Sequence, residues 1–375
     1  MSSLFESGVH GQVLMWMFAV AVVLGALTSK TNFCTMGAVS DWLNMGDTGR
    51  MRAWLFASAI AILGVTVLEA ASVATLRANT MPPYRTENFA WLRYIAGGLI
   101  FGIGMTLGSG CGTKTLLRIG GGNLKSIVVA AAIATVVYFM FTTRLFEITV
   151  TSWVGPTVIS LAEYGLSGQG IDDILAKVTG MNTTTARLLA GAAIGAALLG
   201  YAFKSGDFRG NRDHILGGTV VGLAVVAGWY VTAGPLGVEW VEEAMMDGEP
   251  NRAAIQSFTF ISPIGETGRY LLDPTNLGLI RVGVVTVFGV VFGSLLYALL
   301  SRSFRFEWFN SPRDFFQHLI GGLLMGYGGF VAMGCTVGQG VSGVSTLALG
   351  SFLALSGMIA GSALTMKIQF VLMDR

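Results

Sequence analysis

Charge is what this sequence has least of. Among 375 residues only 12% are Asp, Glu, Lys or Arg, where a soluble domain carries about 25%. The shortage runs along the whole chain, which argues against a soluble protein with a single anchor. What charge there is nearly cancels, at a net +2. That balance excludes a polyanionic partner, so nucleic acid is not in view. Cysteine is scarce too: Cys34, Cys111 and Cys335 are the whole set, far apart and without a CxxC pair. The three histidines, His10, His214 and His318, lie nowhere near them in sequence. A disulfide framework and a structural zinc site are therefore both poorly supported. The opening "MSSLFESGVHGQ" has no Lys or Arg ahead of the first apolar run. It lacks the basic region of a secretory signal, and the first run is expected to be retained. A nucleotide loop is missing as well. "GSGCGTKT" fails the GxxxxGK[ST] spacing because Lys114 follows Thr113, so no direct ATP drive and no cofactor are indicated.

Hydrophobic residues are present in abundance, at 53% of the chain. Mean hydropathy is +0.66. A spanning helix needs about 20 mostly apolar residues. Nine stretches qualify: 12–28, 53–75, 91–109, 124–142, 185–203, 214–233, 279–300, 315–333 and 344–366. Residues 76–90, 143–184 and 234–278 read as extramembrane connections, the second with a short amphipathic helix. With nine spans, one side collects Lys30, Arg50, Arg52, Lys114, Arg118, Lys125, Lys204, Arg209, Arg212, Arg302, Arg305, Arg313, Lys367 and Arg375. The positive-inside rule puts that side in the cytoplasm, with the N-terminus outside and the C-terminus inside.

The 52 glycines are not scattered evenly. "GGLIFGIGMTLGSGCG" at 97–112 aligns without a gap on "GGLLMGYGGFVAMGCT" at 321–336. Gly97, Gly98, Leu99, Gly102, Gly104, Gly110 and Cys111 match Gly321, Gly322, Leu323, Gly326, Gly328, Gly334 and Cys335. The copies start on the third and eighth spans, an odd separation, so they cross the membrane in opposite directions. Inverted repeats are typical of secondary transporters, whose sites form where broken helices meet near the midplane. The expected fold is an all-α polytopic membrane protein of about nine transmembrane helices, with inverted repeats and glycine-rich re-entrant loops. The first half is 1–142, with one loop around Cys111. The connection 143–184 follows, and then the second half, 185–375, with the outer loop 234–278 and a loop around Cys335.

Most of the glycine ladder needs no role beyond letting helices approach closely. The glycines around the cysteines differ. Gly110 and Gly112 flank Cys111, and Gly334 precedes Cys335. Such density breaks a helix and frees backbone N–H groups. Successive free N–H groups and helix N-termini make sites for anions. A lone buried cysteine is by default a small apolar packing residue, but two at matching points of inverted copies point to a shared role. Cys34, after the first span, is the third candidate. Lys30 near Cys34, and Lys114 with Arg118 near Cys111, either balance an anion's charge or serve as ordinary inside-facing bases. No role is assigned to Glu266, Arg269 or Asp41. The segment "FTFISPIGETGRYLL" around Glu266 is a weak match for the Cys34 region.

The segments "SKTNFCTMGAVSDWLNMGD", "GMTLGSGCGTKTLLRIGGGNLKS" and "GGFVAMGCTVGQGVSG" resemble the recurring segments of the YeeE/YedE family of bacterial inner-membrane proteins. The likeness covers nearly all of the spanning part, and 143–184 and 234–278 match less well. It implies an hourglass-shaped inner-membrane importer of thiosulfate or a related sulfur anion. It further implies that Cys34, Cys111 and Cys335 line the central path. A neutral thiol is a weak donor, which suits release of a soft anion, whereas a thiolate would repel it. Two other readings stay open. One is a sulfur relay that forms a cysteine persulfide, though no His–Cys pairing is evident to activate a thiol; the other is a passive anion channel. Docking of a small cytoplasmic sulfur-carrier protein, the oligomeric state and the coupling ion are left open too.

Overall fold

In an apolar segment without water, backbone N–H and C=O groups can be satisfied only within the helix itself. The computed structural model is accordingly built of helices, and it describes residues 8–76, 80–249 and 252–373. Expectations about the residues before Gly8 and about Arg375 lie outside that range. The first half contains α1 (Val9–Thr31), α2 (Thr35–Met45), α3 (Gly49–Ala70), α4 (Trp91–Leu107), α5 (Gly112–Gly120) and α6 (Leu124–Thr142). A connection follows with α7 (Ser152–Val154) and α8 (Ile171–Thr179), then α9 (Thr183–Phe203) and α10 (Gly206–Gly210). The remainder is α11 (Arg212–Ala233), α12 (Pro235–Met246), α13 (Ile261–Leu272), α14 (Val282–Leu300), α15 (Pro312–Val331), a π-helical segment (Gly338–Gly343) and α16 (Leu349–Met373). Strands β1 (Asn88–Phe89) and β2 (Ile159–Ser160) pair antiparallel and tie the 76–90 loop to the 143–184 connection.

Among the described residues, eight helical stretches are long and apolar enough to cross a membrane. The ninth expected span is α15. It has 20 residues, but its first turns carry Arg313, Asp314 and His318, and its glycines dilute its hydropathy. It nevertheless packs lengthwise between α4 and α6. In two of the eight stretches, Val9–Met45 and Trp91–Gly120, a long helix leads past a break into a short one.

Glycine contacts establish the direction of each neighbour. A Cβ on Gly97 would lie 2.9 Å from the Gly328 carbonyl oxygen, and one on Gly104 would lie 2.8 Å from that of Gly321. Numbers rising along α4 thus fall along α15, so these two helices are antiparallel. By contrast, Gly98 faces Ala354 and Gly102 faces Met358, so α4 runs parallel to α16. Gly322 faces Val129 and Gly326 faces Ile133, so α15 runs parallel to α6. Exchanging α4 with α15 and α6 with α16 reproduces the arrangement. The same exchange holds further out, where α1 packs on α14 and α3 on α11. The halves are therefore inverted copies around the α4–α15 contact. Side-chain-free faces let these backbones approach, and close van der Waals packing holds them.

Within residues 234–278 lie α12 and α13, and Ser257, Phe258, Thr259 and Phe260 are buried in the interior just before α13. Extended backbone tolerates that position because hydroxyls satisfy it. Thr232 Oγ1 donates to the Gln256 carbonyl at 2.7 Å, and Ser342 Oγ donates to that of Phe258 at 2.7 Å. Ser257 Oγ reaches across to the Val225 carbonyl at 2.8 Å.

The connection 143–184 is likewise fastened to the bundle. Arg85 makes a bidentate pair with Glu69, at 2.7 and 2.9 Å, and donates through Nε to the Thr346 carbonyl at 2.8 Å. Arg187 joins Glu69 at 2.9 Å and Asp172 at 2.6 Å. Such a buried network fixes geometry because removing one partner would leave a buried charge uncompensated. It clamps the chain at the start of α16.

Candidate functional site

Each of the three cysteines sits at the same kind of place, as the residue that caps a short helix at its N-terminus. Cys34 caps α2, and its sulfur accepts the Gly37 N–H at 3.5 Å. Cys335 precedes the turn that leads into the π segment, and its sulfur accepts the Gly338 N–H at 3.4 Å. Cys111 caps α5 with extended backbone, and the Lys114 amide is its counterpart neighbour. A sulfur acceptor is weak, so these bonds leave the first-turn amides largely uncommitted.

The breaks that produce these caps repeat in detail. Ser109 and Met333, equivalent residues of the two copies, both adopt left-handed backbone, at φ 56° and 59°. Asn32 does the same before Cys34, at φ 51°. After the short helices the chain turns again at Gly122, φ 93°, and at Leu347, φ 60°. The second copy has one residue more between these points, which the wider π turns of Gly338–Gly343 absorb. Inserted π turns of this kind often accompany function.

The caps meet in the interior. Cys34 and Cys111 are in side-chain contact and line one small cavity with Leu24, Thr28, Phe33, Thr35, Thr113, Val221 and Val337. A Cβ on Gly112 would lie 3.9 Å from the Cβ of Cys335, 3.8 Å from that of Phe260 and 3.2 Å from Cδ1 of Ile261. Thr259 and Phe260 stand against Cys335. Four short helices thus point their N-termini at one region: α2, α5, α13 and the segment opened by Cys335. Three carry a thiol at the cap, and the fourth carries Phe260 preceded by Thr259. With α5, α2 and α13 at 9, 11 and 12 residues, each is about 14–18 Å long. That is roughly half the 30 Å of a hydrocarbon core. A helix N-terminus carries about half a positive charge, so the region attracts an anion without a fixed cation at its centre.

All three thiols are free and buried. The cavity between Cys34 and Cys111 is about 10 Å³, room for no more than about one water. A separate, wider cavity of about 240 Å³ is lined by Ser29, Lys114, Leu117, Arg118, Gly121, Asn123, Ser303, Arg305 and Glu307. Lys114 reaches across from α5 and donates through Nζ to the side-chain oxygen of Asn32. Gly110 lies under the Lys114 stem, where a Cβ would sit 3.0 Å from Cγ. Lys30, on the last turn of α1, is exposed and does not line either cavity. Gly334 packs against Gln339, itself bonded to Ser351 at 2.7 Å.

Three other polar residues find their places outside the cluster. Asp41 is paired with Arg50 at 2.7 Å. Glu266 lies on α13 beside Gly283, and Arg269 is in the last turn of that helix. The sequence reading passed over Thr113, Thr259, Phe260, Thr336 and Asn32. A signal for part of this was available: Cys34-Thr-Met-Gly37 and Cys335-Thr-Val-Gly338 share a Cys-Thr-x-Gly pattern. In both, the glycine amide is the one that meets the thiol.

The profile of a family described as "Sulphur transport" matches residues 30–364. A protein of Spirochaeta thermophila named thiosulfate transporter TsuA is 26% identical over 347 residues, covering 92% of this chain and 95% of the relative. The Escherichia coli K12 protein of the same name is 25% identical over 350 residues, covering 90% of each chain.

Proposed function

The chain belongs to the sulphur-transport family, and from that premise we propose that it imports thiosulfate, or a closely related small sulfur anion, past Cys34, Cys111 and Cys335. The observation that supports this most is the convergence of capped half-length helices on one buried point from both repeat halves. A bare dianion in hydrocarbon is prohibitively costly. Four helix N-termini offer amide N–H groups and partial positive charge in its place. Because the charges are partial and the thiols are weak donors, the ion is held loosely enough to leave. The half-length helices act as re-entrant elements, α2 and α5 from one face, α13 and the π segment from the other.

In this conformation the path is shut. The 10 Å³ between Cys34 and Cys111 cannot hold a five-atom anion, so the short helices must part for passage. Lys114 bridges the α5 and α1–α2 elements through Asn32. An arriving anion competes for that ammonium, which loosens the bridge as it neutralises the charge. Lys114, Arg118 and Arg305 then form the exit on the basic, cytoplasmic face of the inner membrane. Lys30, exposed on the same face, contributes only to the local potential.

The test is uptake of ³⁵S-labelled thiosulfate by proteoliposomes of the purified protein, with sulfate, sulfite and selenite as competitors. Saturable uptake that unlabelled thiosulfate suppresses far better than sulfate is expected. No uptake above empty liposomes, or equal suppression by every oxyanion, overturns the proposal. Intact-mass measurement after exposure separates transport from a persulfide relay, because a carrier of the ion retains no added sulfur.

A further inference from the structure

We propose that the hydroxyls of Thr113 and Thr336 form a subsite for the sulfonate oxygens of the transported anion, beside the thiols that meet its terminal sulfur. The inference rests on the transport reading above and assigns the two ends of the anion to different donors.

Many buried threonines in this protein return their hydroxyl proton to their own helix. Thr106 donates to the Gly102 carbonyl at 3.1 Å, Thr115 to Cys111 at 3.1 Å, Thr267 to Pro263 at 2.7 Å and Thr365 to Gly361 at 2.8 Å. Thr113 and Thr336 do not. Both are buried, at 6% and 0% exposure; the Thr113 hydroxyl has no hydrogen-bond partner, and the Thr336 hydroxyl meets only the Cys111 thiol, a weak partner. Their position explains why. Each stands in the first turn after a capping cysteine, where the carbonyl four residues earlier belongs to the break. A hydroxyl left unpaired or weakly paired in a buried site is destabilising, so the pair reads as donors held ready for a ligand.

Their surroundings select the ligand. Thr113 lines the cavity with Cys34 and Cys111, and the Thr336 hydroxyl faces the Cys111 sulfur. Each lies beside first-turn amides that have no intrahelical acceptor. Thiosulfate is a dianion with three oxygens on one end and a single soft sulfur on the other. Oxygens favour strong O–H and N–H donors, and the soft sulfur suits thiols, whose S–H groups are weak donors. A site with hydroxyls and amides beside thiols therefore recognises an ion that bears both ends. It discriminates against hydrosulfide, which lacks the oxygens, and against sulfate, which has a fourth oxygen in place of the terminal sulfur.

Thr113→Val and Thr336→Val keep shape while deleting the donor, and Thr→Ser keeps the donor. Labelled thiosulfate uptake, inhibition by hydrosulfide, and thermal melting of the purified protein are measured for all four. Each valine variant should raise the thiosulfate KM by at least about tenfold, the scale of a lost hydrogen bond to a charged group. Melting temperature should hold or rise, since an unpaired or weakly paired hydroxyl is removed. Serine variants should keep a near-normal KM, and hydrosulfide inhibition should be unchanged throughout. Valine variants with KM within about twofold of wild type overturn the subsite, as does a fall in melting temperature that accounts for the loss. Normal uptake by valine variants alongside lost uptake by Cys111→Ala would end the subsite and leave transport standing. Absence of uptake by the wild type would end transport itself.

Discussion

Replacing Cys111 with alanine should reduce thiosulfate uptake to background while the protein accumulates in the membrane at normal levels. Cys111 is the thiol with neighbours on every side of the cluster. It touches Cys34, faces Thr336, and precedes Gly112, whose missing side chain admits Cys335 and Ile261. On the proposed reading, loss of its sulfur removes a donor from the constriction and leaves hydrocarbon in its place. The cost to the fold is small by comparison, because the change deletes one atom from an already capped helix start. Hydrogen bonds from the α5 backbone, such as Thr115 N–H to the Cys111 carbonyl at 2.9 Å, survive it. The measurement is initial uptake rate at saturating substrate, normalised to folded protein by size-exclusion chromatography. Cys335→Ala should behave alike. Retention of more than half the wild-type rate by the Cys111→Ala, Cys335→Ala double variant would reject a role for the thiols.

Gly321→Ala should have a large effect on folding. A Cβ there would lie 2.3 Å from the Gly108 nitrogen and 2.8 Å from its Cα, with the Gly104 carbonyl oxygen at 2.9 Å. Every one of these neighbours is backbone, so none can swing aside, and α4 and α15 must separate. Overpacking a dense interior costs about 1–3 kcal/mol. Here the displaced helices also carry both inverted breaks, so the thiols move with them. Low yield of monodisperse protein, a lower melting temperature and no uptake are expected together. Gly200→Ala is the control: it sits on α9 with nothing within 4 Å of an added Cβ. Alanine there gains up to about 1 kcal/mol of helix propensity and should leave melting unchanged or raised. Equal melting of the two variants would contradict the packing account.

The fold and the site were not equally legible in the sequence. The glycine ladder ending in Gly110-Cys111 and Gly334-Cys335 announces both the repeat and its inversion, because residue identity and span parity are local properties. The direction of α15 along α4 agrees with that parity. The Phe258–Phe260 stretch was harder to see. Its burial depends on hydroxyls of Thr232 and Ser342, which are distant in sequence and give no periodic signal. For the same reason the fourth short helix, α13, does not declare itself. It has no cysteine and only a faint likeness to the Cys34 segment. Lys30 is a case in which sequence proximity and structural position differ. Nearness in sequence to Cys34 suggested a shared site, but helix geometry turns its side chain outward from the last turn of α1. The unpaired hydroxyl of Thr113 and the weakly paired one of Thr336 follow from the capping geometry, which no composition or spacing rule reports.

The most direct measurement is a cryo-electron microscopy map of the protein in saturating thiosulfate, compared with one in sulfate. Density for an ion enclosed by the Cys34, Cys111 and Cys335 sulfurs and the N-termini of α2, α5 and α13, present only with thiosulfate, is the expected result. A bound ion elsewhere with the thiols still packed on one another, or thiol sulfurs turned toward lipid, would contradict it.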